Sequence, residues 1–259
     1  MGDLTVEVVT IGNELLTGKV VNTNASWIAD RVTRLGGVVK RITAVSDDVD
    51  ECSAAIKETL SRRPKLIITT GGLGPTFDDR TLESISVALG VPLELNEEAL
   101  QMVREKYSGD VTPPRLKMAK LPRGGRPLYN PVGTAPGCLI EADGTIIVAL
   151  PGVPSEMRGM FEMHVEPMIS RMSRAAYSFK LVKVEMIEES SLAPIIDEVM
   201  RACRSVYVKS RPKRNGEVYI EVELSSKAST KEEAEKNVLE ACELLKELVA
   251  KAGARAEEL

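Results

Sequence analysis

The chain has 259 residues, 43% of them hydrophobic and 28% charged, with a formal charge of −4. That length predicts one large or two modest domains, and that balance excludes a mainly disordered chain. Mild acidity also argues against nucleic-acid binding over the whole surface, while leaving room for a local basic pocket. Aromatic residues make up 3%, so the core must come from aliphatic side chains and methionine. No apolar run approaches the roughly 20 residues of a membrane span, and the N-terminus lacks a leader pattern. A soluble, cytoplasmic protein is expected.

In chain order, 4–11 reads as a buried β-branched strand ending at Gly12. Asn24 can cap a helix over 24–35, stopped by Gly36-Gly37. A strand over 39–45 follows. Asp47 or Asp48 can cap the next helix, which carries Cys52, Ile56 and Leu60 and ends before Pro64. A second buried strand, 65–70, runs directly into glycines. Helices are predicted over 80–89 and 97–107. The stretch 111–136 is rich in Pro and Gly and reads as a long loop. A strand over 145–150 and a helix over 155–172, kinked near Pro167, complete a pattern of parallel strands covered by helices on both faces. Beyond about 174 the pattern becomes a small α+β unit. Its strand over 179–187, helix over 192–203, hairpin around Asn215-Gly216 and capping box of Thr230 with Glu233 point that way. The expected domains are 1–173 and 177–259.

The segment Thr69-Thr70-Gly71-Gly72-Leu73-Gly74-Pro75-Thr76-Phe77-Asp78-Asp79 lies between a buried strand and a helix. Gly71, Gly72 and Gly74 let backbone amides approach a phosphate, and Thr70 and Thr76 add hydroxyls. Asp78 and Asp79 read either as helix caps or as ligands of a divalent cation that neutralises such a phosphate. Pro151-Gly152-Val153-Pro154-Ser155-Glu156 repeats the strand–turn–helix logic, with Ser155 as cap or phosphate donor. Glu14 follows the first strand. Arg115, Lys117, Lys120, Arg123 and Arg126 line the long loop without a carboxylate, which reads as solvated charge or as a positive wall facing a diphosphate. The single histidine, His164, lies mid-helix facing Met160 and Met168 and reads as packing, so general-base work falls to a carboxylate or to water activated by metal. The four cysteines are too widely spaced for a zinc knuckle or a disulfide framework.

The glycine segment resembles the signature of the CinA family, within the wider molybdopterin-binding (MoaB/MogA-like) superfamily. Three more segments agree in order: Ile11-Gly12-Asn13-Glu14-Leu15-Leu16 with Asn22-Thr23-Asn24, Asn130-Pro131-Val132-Gly133-Thr134-Ala135-Pro136-Gly137, and Leu150-Pro151-Gly152-Val153-Pro154-Ser155-Glu156-Met157. The resemblance covers about the first 170 residues. It implies a three-layer α/β/α domain with a mostly parallel sheet and its ligand at the carboxyl edge, followed by a small α+β unit of KH type. It further implies a metal-dependent pyrophosphatase acting on ADP-ribose-like or FAD-like diphosphates, or alternatively a non-catalytic binder of molybdopterin or a related pterin phosphate. Asp78 and Asp79 would be catalytic and, with Glu14, hold Mg²⁺, Mn²⁺ or Co²⁺. Gly71, Gly72, Gly74, Thr76, Asn24, Asn130, Gly133, Thr134 and Ser155 would contact the ligand. Asn13 and Asn22 stand where relatives commonly carry aspartate, and amides coordinate metal more weakly. No nicotinamide-nucleotide deamidase activity is expected, because the domain that carries it in bacterial relatives is absent. The second domain, with 14 Lys and Arg against 16 Asp and Glu over 180–259, lacks a G-x-x-G loop. A role in homo-oligomerisation (dimer or trimer) or in covering the site is expected of it, without nucleic acid or membrane as partners.

Overall fold

The computed structural model describes residues 4–213 and 218–259. The hairpin turn expected at Asn215-Gly216 lies outside them. The chain forms two compact units, Gly37–Ser173 with the N-terminal segment through Thr33, and Arg174–Leu259 with Arg34–Gly36.

The first unit contains β1 (Thr5–Ile11), α1 (Asn13–Leu16), α2 (Thr23–Arg34), β2 (Val38–Val45), α3 (Val49–Ser61), β3 (Leu66–Thr70), α4 (Thr81–Leu89), β4 (Leu93–Leu95), α5 (Glu97–Lys106), α6 (Pro113–Met118), β5 (Lys120–Pro122), β6 (Arg126–Leu128), β7 (Gly137–Ala142), β8 (Thr145–Leu150), α7 (Pro154–Met160) and α8 (Glu166–Met172). Its main sheet has the order β2-β1-β3-β8-β7-β6. The first four strands are parallel; β7 and β6 join antiparallel. Both faces of the central strands are apolar and buried, because helices cover each side. Val9, Ile67 and Ile147 meet Ile56, Ile85 and Val103 on one face. Val8, Ile68 and Val148 on the other face are fully buried, as are Ile28, Met157 and Phe161 of the covering helices. This is the expected three-layer α/β architecture.

The expected long loop 111–136 is partly structured. It folds into α6, β5 and β6, with β5 pairing with β4 and β6 extending the main sheet. These strands of three residues are too short to leave a period in the sequence. Between α7 and α8 the helix widens into a π turn, Phe161–Val165. This turn precedes Pro167, which lacks the amide for a regular helical bond. Trp27 sits beside that turn, edge-on to Phe161 at 5.2 Å, with Arg31 and Arg158 within 5.9 and 5.5 Å of its ring centre.

A charged pair ties the interior of the first unit to its surface. Glu7, on central strand β1, is 4% exposed. Arg62, just past α3, grips it through Nε at 2.9 Å and Nη2 at 2.6 Å and also bonds Glu58. The Glu7 hydrogen bonds push the guanidinium further up from its ordinary pKa.

The second unit comprises β9 (Ala176–Glu185), α9 (Glu189–Ala202), β10 (Val206–Lys213), β11 (Tyr219–Ala228), α10 (Lys231–Lys251) and β12 (Arg255–Glu258). Its antiparallel sheet has the order β10-β11-β9-β12. This is the split βαβ (ferredoxin-like) arrangement rather than the KH type implied by the resemblance. The reason is β12, a fourth strand whose sequence, Arg-Ala-Glu-Glu, carries no apolar alternation. As expected, Thr230 caps α10 by accepting from the Glu233 amide at 3.1 Å. Among the described residues no helix is long and apolar enough to cross a membrane.

β12 is tied down by Glu258, which accepts from Lys180 of β9 and, at 2.5 Å, from Lys246 of α10. The Lys180 hydrogen bond, then that of Lys246, pulls its carboxyl to about 2 from an ordinary 4.5. A depressed carboxyl contributes stability above its unfolded pKa and loses it as pH falls through the folded value. Hydrogen exchange at 255–258 is therefore expected to lose protection as pH drops from about 4.5 toward 2, and Glu258→Gln to flatten that dependence. A flat profile in the unsubstituted protein would refute the tether.

Candidate functional site

Because β1, β3 and β8 run parallel, the loops that follow them gather at one edge. The chain leaves β1 toward β2 on one side and returns to β3 on the other, so strand order reverses between β1 and β3. Ligand crevices in such sheets form at that reversal. The three strand exits touch there. The Gly71 amide donates to Leu150 O at 3.1 Å, and a Cβ on Gly71 would lie 2.1 Å from Ile11 O. A Cβ on Gly152 would come within 3.3 Å of the Gly71 Cα.

A cavity of about 390 Å³ opens at this junction, with Gly71, Gly72 and Gly74 in its wall. Five carboxylates line it: Glu14, Asp47, Asp78, Asp79 and Glu156, with no Lys, Arg or His among the lining residues. Two glycines give their carboxylates room to approach. A Cβ on Gly74 would lie 2.6 Å from Asp79 Oδ2, and one on Gly133 would lie 2.0 Å from Glu156 Oε2.

Asp78 and Asp79 do not cap α4. Arg80 occupies the N-cap position, and it makes no side-chain cap bond, pairing instead with Glu83. The two aspartates hold the glycine loop through Thr76. Its amide donates to Asp79 Oδ2 at 2.9 Å, and its hydroxyl lies against both carboxylates, 2.5 Å from Asp79 Oδ2. The Thr76 hydroxyl is the main reason that Asp78 titrates below its ordinary range. Lys117 donates to the Thr76 carbonyl.

Asn130 is 2% exposed and organises the third wall. Its Oδ1 accepts from the Val132 and Gly133 amides, and its Nδ2 donates to Ala135 O and, at 2.7 Å, to Glu156 Oε2. The Thr134 hydroxyl accepts from Tyr107 at 3.0 Å. Asn24 lies inside α2; the amide of the first turn is bonded by Asn22 instead, whose Oδ1 accepts from Ala25. Asn24 Nδ2 donates to Thr70 Oγ1 and Gly152 O, tying α2 to two strand ends and lining a smaller neighbouring cavity. Ser155 is exposed at the second position of α7, makes no side-chain cap bond, and lines neither cavity.

Asp47 and Glu156 are site residues that motif reading assigned elsewhere. Asp48 is the cap of α3, which leaves Asp47 to face the cavity and accept from the Asn13 amide at 3.0 Å. His164 donates from Nε2 to Tyr129 O at 2.7 Å, outside the cavity. Of the basic loop residues, Lys117 reaches the glycine loop at the Thr76 carbonyl, while two others are drawn elsewhere. Arg115 pairs with Asp110 and stacks on Tyr107, and Arg123 pairs with Glu94. Among the described residues, Cys242, Glu243 and Glu258 of the second unit form the group whose ligand atoms lie within 4.8 Å of one another. Lys180 and Lys246 already occupy Glu258 there.

Residues 7–171 match the model of the probable molybdopterin binding domain family, and the chain belongs to that family. It is 47% identical over 249 residues to a protein of Pyrobaculum aerophilum, covering 93% of both chains. It is 42% identical over 257 residues to one of Aeropyrum pernix, covering 97% of this chain and 96% of that one. The structure is similar to that of CinA from Thermoplasma acidophilum, with a TM-score of 0.62 and 44% identity, covering 64% of this chain and 98% of that one.

Proposed function

We propose that the acidic cavity binds a diphosphate through a divalent cation and hydrolyses the phosphoanhydride of an ADP-ribose-like or FAD-like nucleotide. The observation that carries this reading is the wall itself. Five carboxylates without a lining cation repel a phosphate, while glycine amides at the same sheet edge suit one. Both facts agree if a hard cation lies between them, and carboxylate oxygens are the donors that such a cation takes. Asp78 and Asp79 would hold it, with Glu14 across the same cavity; the three do not stand as a compact ligand group, so binding would have to draw Glu14 in. A bound divalent cation supplies charge neutralisation and a more acidic attacking water.

The chain's own residues orient and deprotonate. The amides of Gly72 and Gly74 would face the phosphates, the Gly71 amide being spent on Leu150 O, and Thr76 fixes both aspartates. With His164 engaged by Tyr129, proton removal falls to a carboxylate. Glu156 offers Oε1, since Asn130 occupies Oε2. Incubation with ADP-ribose, FAD or NAD plus Mg²⁺, Mn²⁺ or Co²⁺ is expected to release AMP, and Asp79→Ala to lower turnover by roughly 100-fold or more. No AMP under any combination, or full activity in Asp79→Ala, overturns the hydrolase.

A second reading is favoured by the family description and by the amides of Asn13 and Asn22 at the sheet edge. It is tight binding of molybdopterin or a related pterin phosphate without turnover. A stable pterin-phosphate complex in which no bond is cleaved would select it. Either reading suits a cytoplasmic homo-oligomer whose four cysteines stay reduced, consistent with the free thiols of Cys52, Cys138, Cys203 and Cys242.

A further inference from the structure

A second cavity of about 100 Å³ adjoins the acidic one and shares Ile11, Glu14 and Gly152 with it. Its polar lining is largely engaged internally, but Asn24 Oδ1 is buried there without a hydrogen-bond partner. Asn22 Nδ2 donates to Thr10 Oγ1, which donates to Thr43 O. Asn24 Nδ2 donates to Thr70 Oγ1, which donates to Pro151 O. Such a lining offers no free charge apart from Glu14 at the shared boundary.

The remaining wall is apolar, and part of it is exposed. Val20 is 50% exposed and Val21 79% exposed. Neither belongs to a frayed tail. The Val20 amide donates to Glu14 O at 3.2 Å, and Val21 O accepts from Thr23 at 2.7 Å. The backbone thus holds two valines exposed over a cavity whose amides and hydroxyls are mostly engaged, with the buried acceptor Asn24 Oδ1 left to receive an N–H from the ring edge. Single exposed valines are ordinary, but a fixed pair facing a neutral recess beside a phosphate-type site calls for an apolar-faced occupant.

We propose that this recess receives the flat nitrogen heterocycle of the ligand whose phosphates enter the acidic cavity. Val20 and Val21 lie against the ring face, and Glu14, common to both cavities, accepts from hydroxyls of the linking sugar or side chain. The inference rests on the phosphate reading above and extends it to the ring. The substrate class is then a heterocycle-bearing diphosphate rather than a bare one, and its purine or pteridine nature is open to test.

Calorimetry with Mn²⁺ compares ADP with inorganic pyrophosphate, which share the anhydride and differ in the nucleoside. ADP is expected to bind at least tenfold more tightly, and the double substitution Val20→Asn with Val21→Asn to collapse that ratio toward unity. Because both side chains are largely exposed, the melting temperature serves as the check that the variant folds. Equal affinity for the two probes in the unsubstituted protein overturns the ring subsite while leaving the phosphate reading intact; failure of both probes to bind overturns both. If Phe77→Ala, at an aromatic 90% exposed on the glycine loop, abolishes the ratio while the valine variant keeps it, the ring lies on Phe77 and the proposal is wrong. A neopterin phosphate that binds tightly in place of ADP and loses affinity in the valine variant supports the subsite and assigns it a pteridine.

Discussion

Gly71→Ala is expected to destabilise the first unit by roughly 3–5 kcal/mol, lowering its melting temperature by roughly 10 °C. Two effects add. Gly71 has φ +110, where a side chain is strained, and its Cβ would be driven to 2.1 Å from the Ile11 carbonyl oxygen. That oxygen is backbone at the end of a central strand, so it cannot swing aside as a flexible side chain would. Gly144→Ala is the matched control. Gly144 also has positive φ, at +80, but among the described residues no atom lies within 4 Å of the added carbon. It should cost about 1 kcal/mol from strain alone. Thermal unfolding of the two variants separates the terms, and equal losses would show that the close approach of β1 and β3 is not what demands glycine. A large loss also predicts impaired ligand binding, since Gly71 forms the wall of the acidic cavity.

Arg62→Ala is expected to cost about 3–5 kcal/mol in denaturant unfolding at neutral pH. The loss exceeds that of an ordinary surface ion pair because Glu7 is 4% exposed and cannot reach water when its partner goes. The sign with pH follows. A charge stranded in the interior favours the neutral state, so the deficit of Arg62→Ala should shrink as pH falls. Replacing both Glu7 and Arg62 by leucine should restore most of the stability, since an apolar pair removes the charge rather than stranding it. A deficit independent of pH would indicate lost packing by the arginine stem instead.

The strands that build the parallel core were legible because each is a run of β-branched residues long enough to show a period. β4, β5 and β6 were not, being three residues each, and β12 was hidden by its charges. The site divides along a similar line. Gly71, Gly72, Gly74, Asp78 and Asp79 fall within one short segment and announce themselves as a motif, and Glu14 follows a strand exit. Asp47 and Glu156 reach the same cavity from other exits. In the sequence each has a sufficient local explanation, as a helix cap or as a favourable charge in a first helical turn. Only the pairing of β1 with β2 and β3, and of β3 with β8, reveals that those exits converge. Asn130 shows the reverse. Its residue type suggested a ligand contact or a turn; the turn is there, through the Val132 and Gly133 amides, and the fold also uses it to hold Glu156, a task that depends on a residue 26 positions away.

The position of Trp27 gives the protein a built-in optical reporter. It is the sole tryptophan of the chain, so all indole emission arises in the first unit, beside the π turn and between two arginines. Fluorescence on denaturation will therefore follow that unit alone, while circular dichroism sees both. A gap between the two curves would directly measure how far the halves unfold independently, with no label attached.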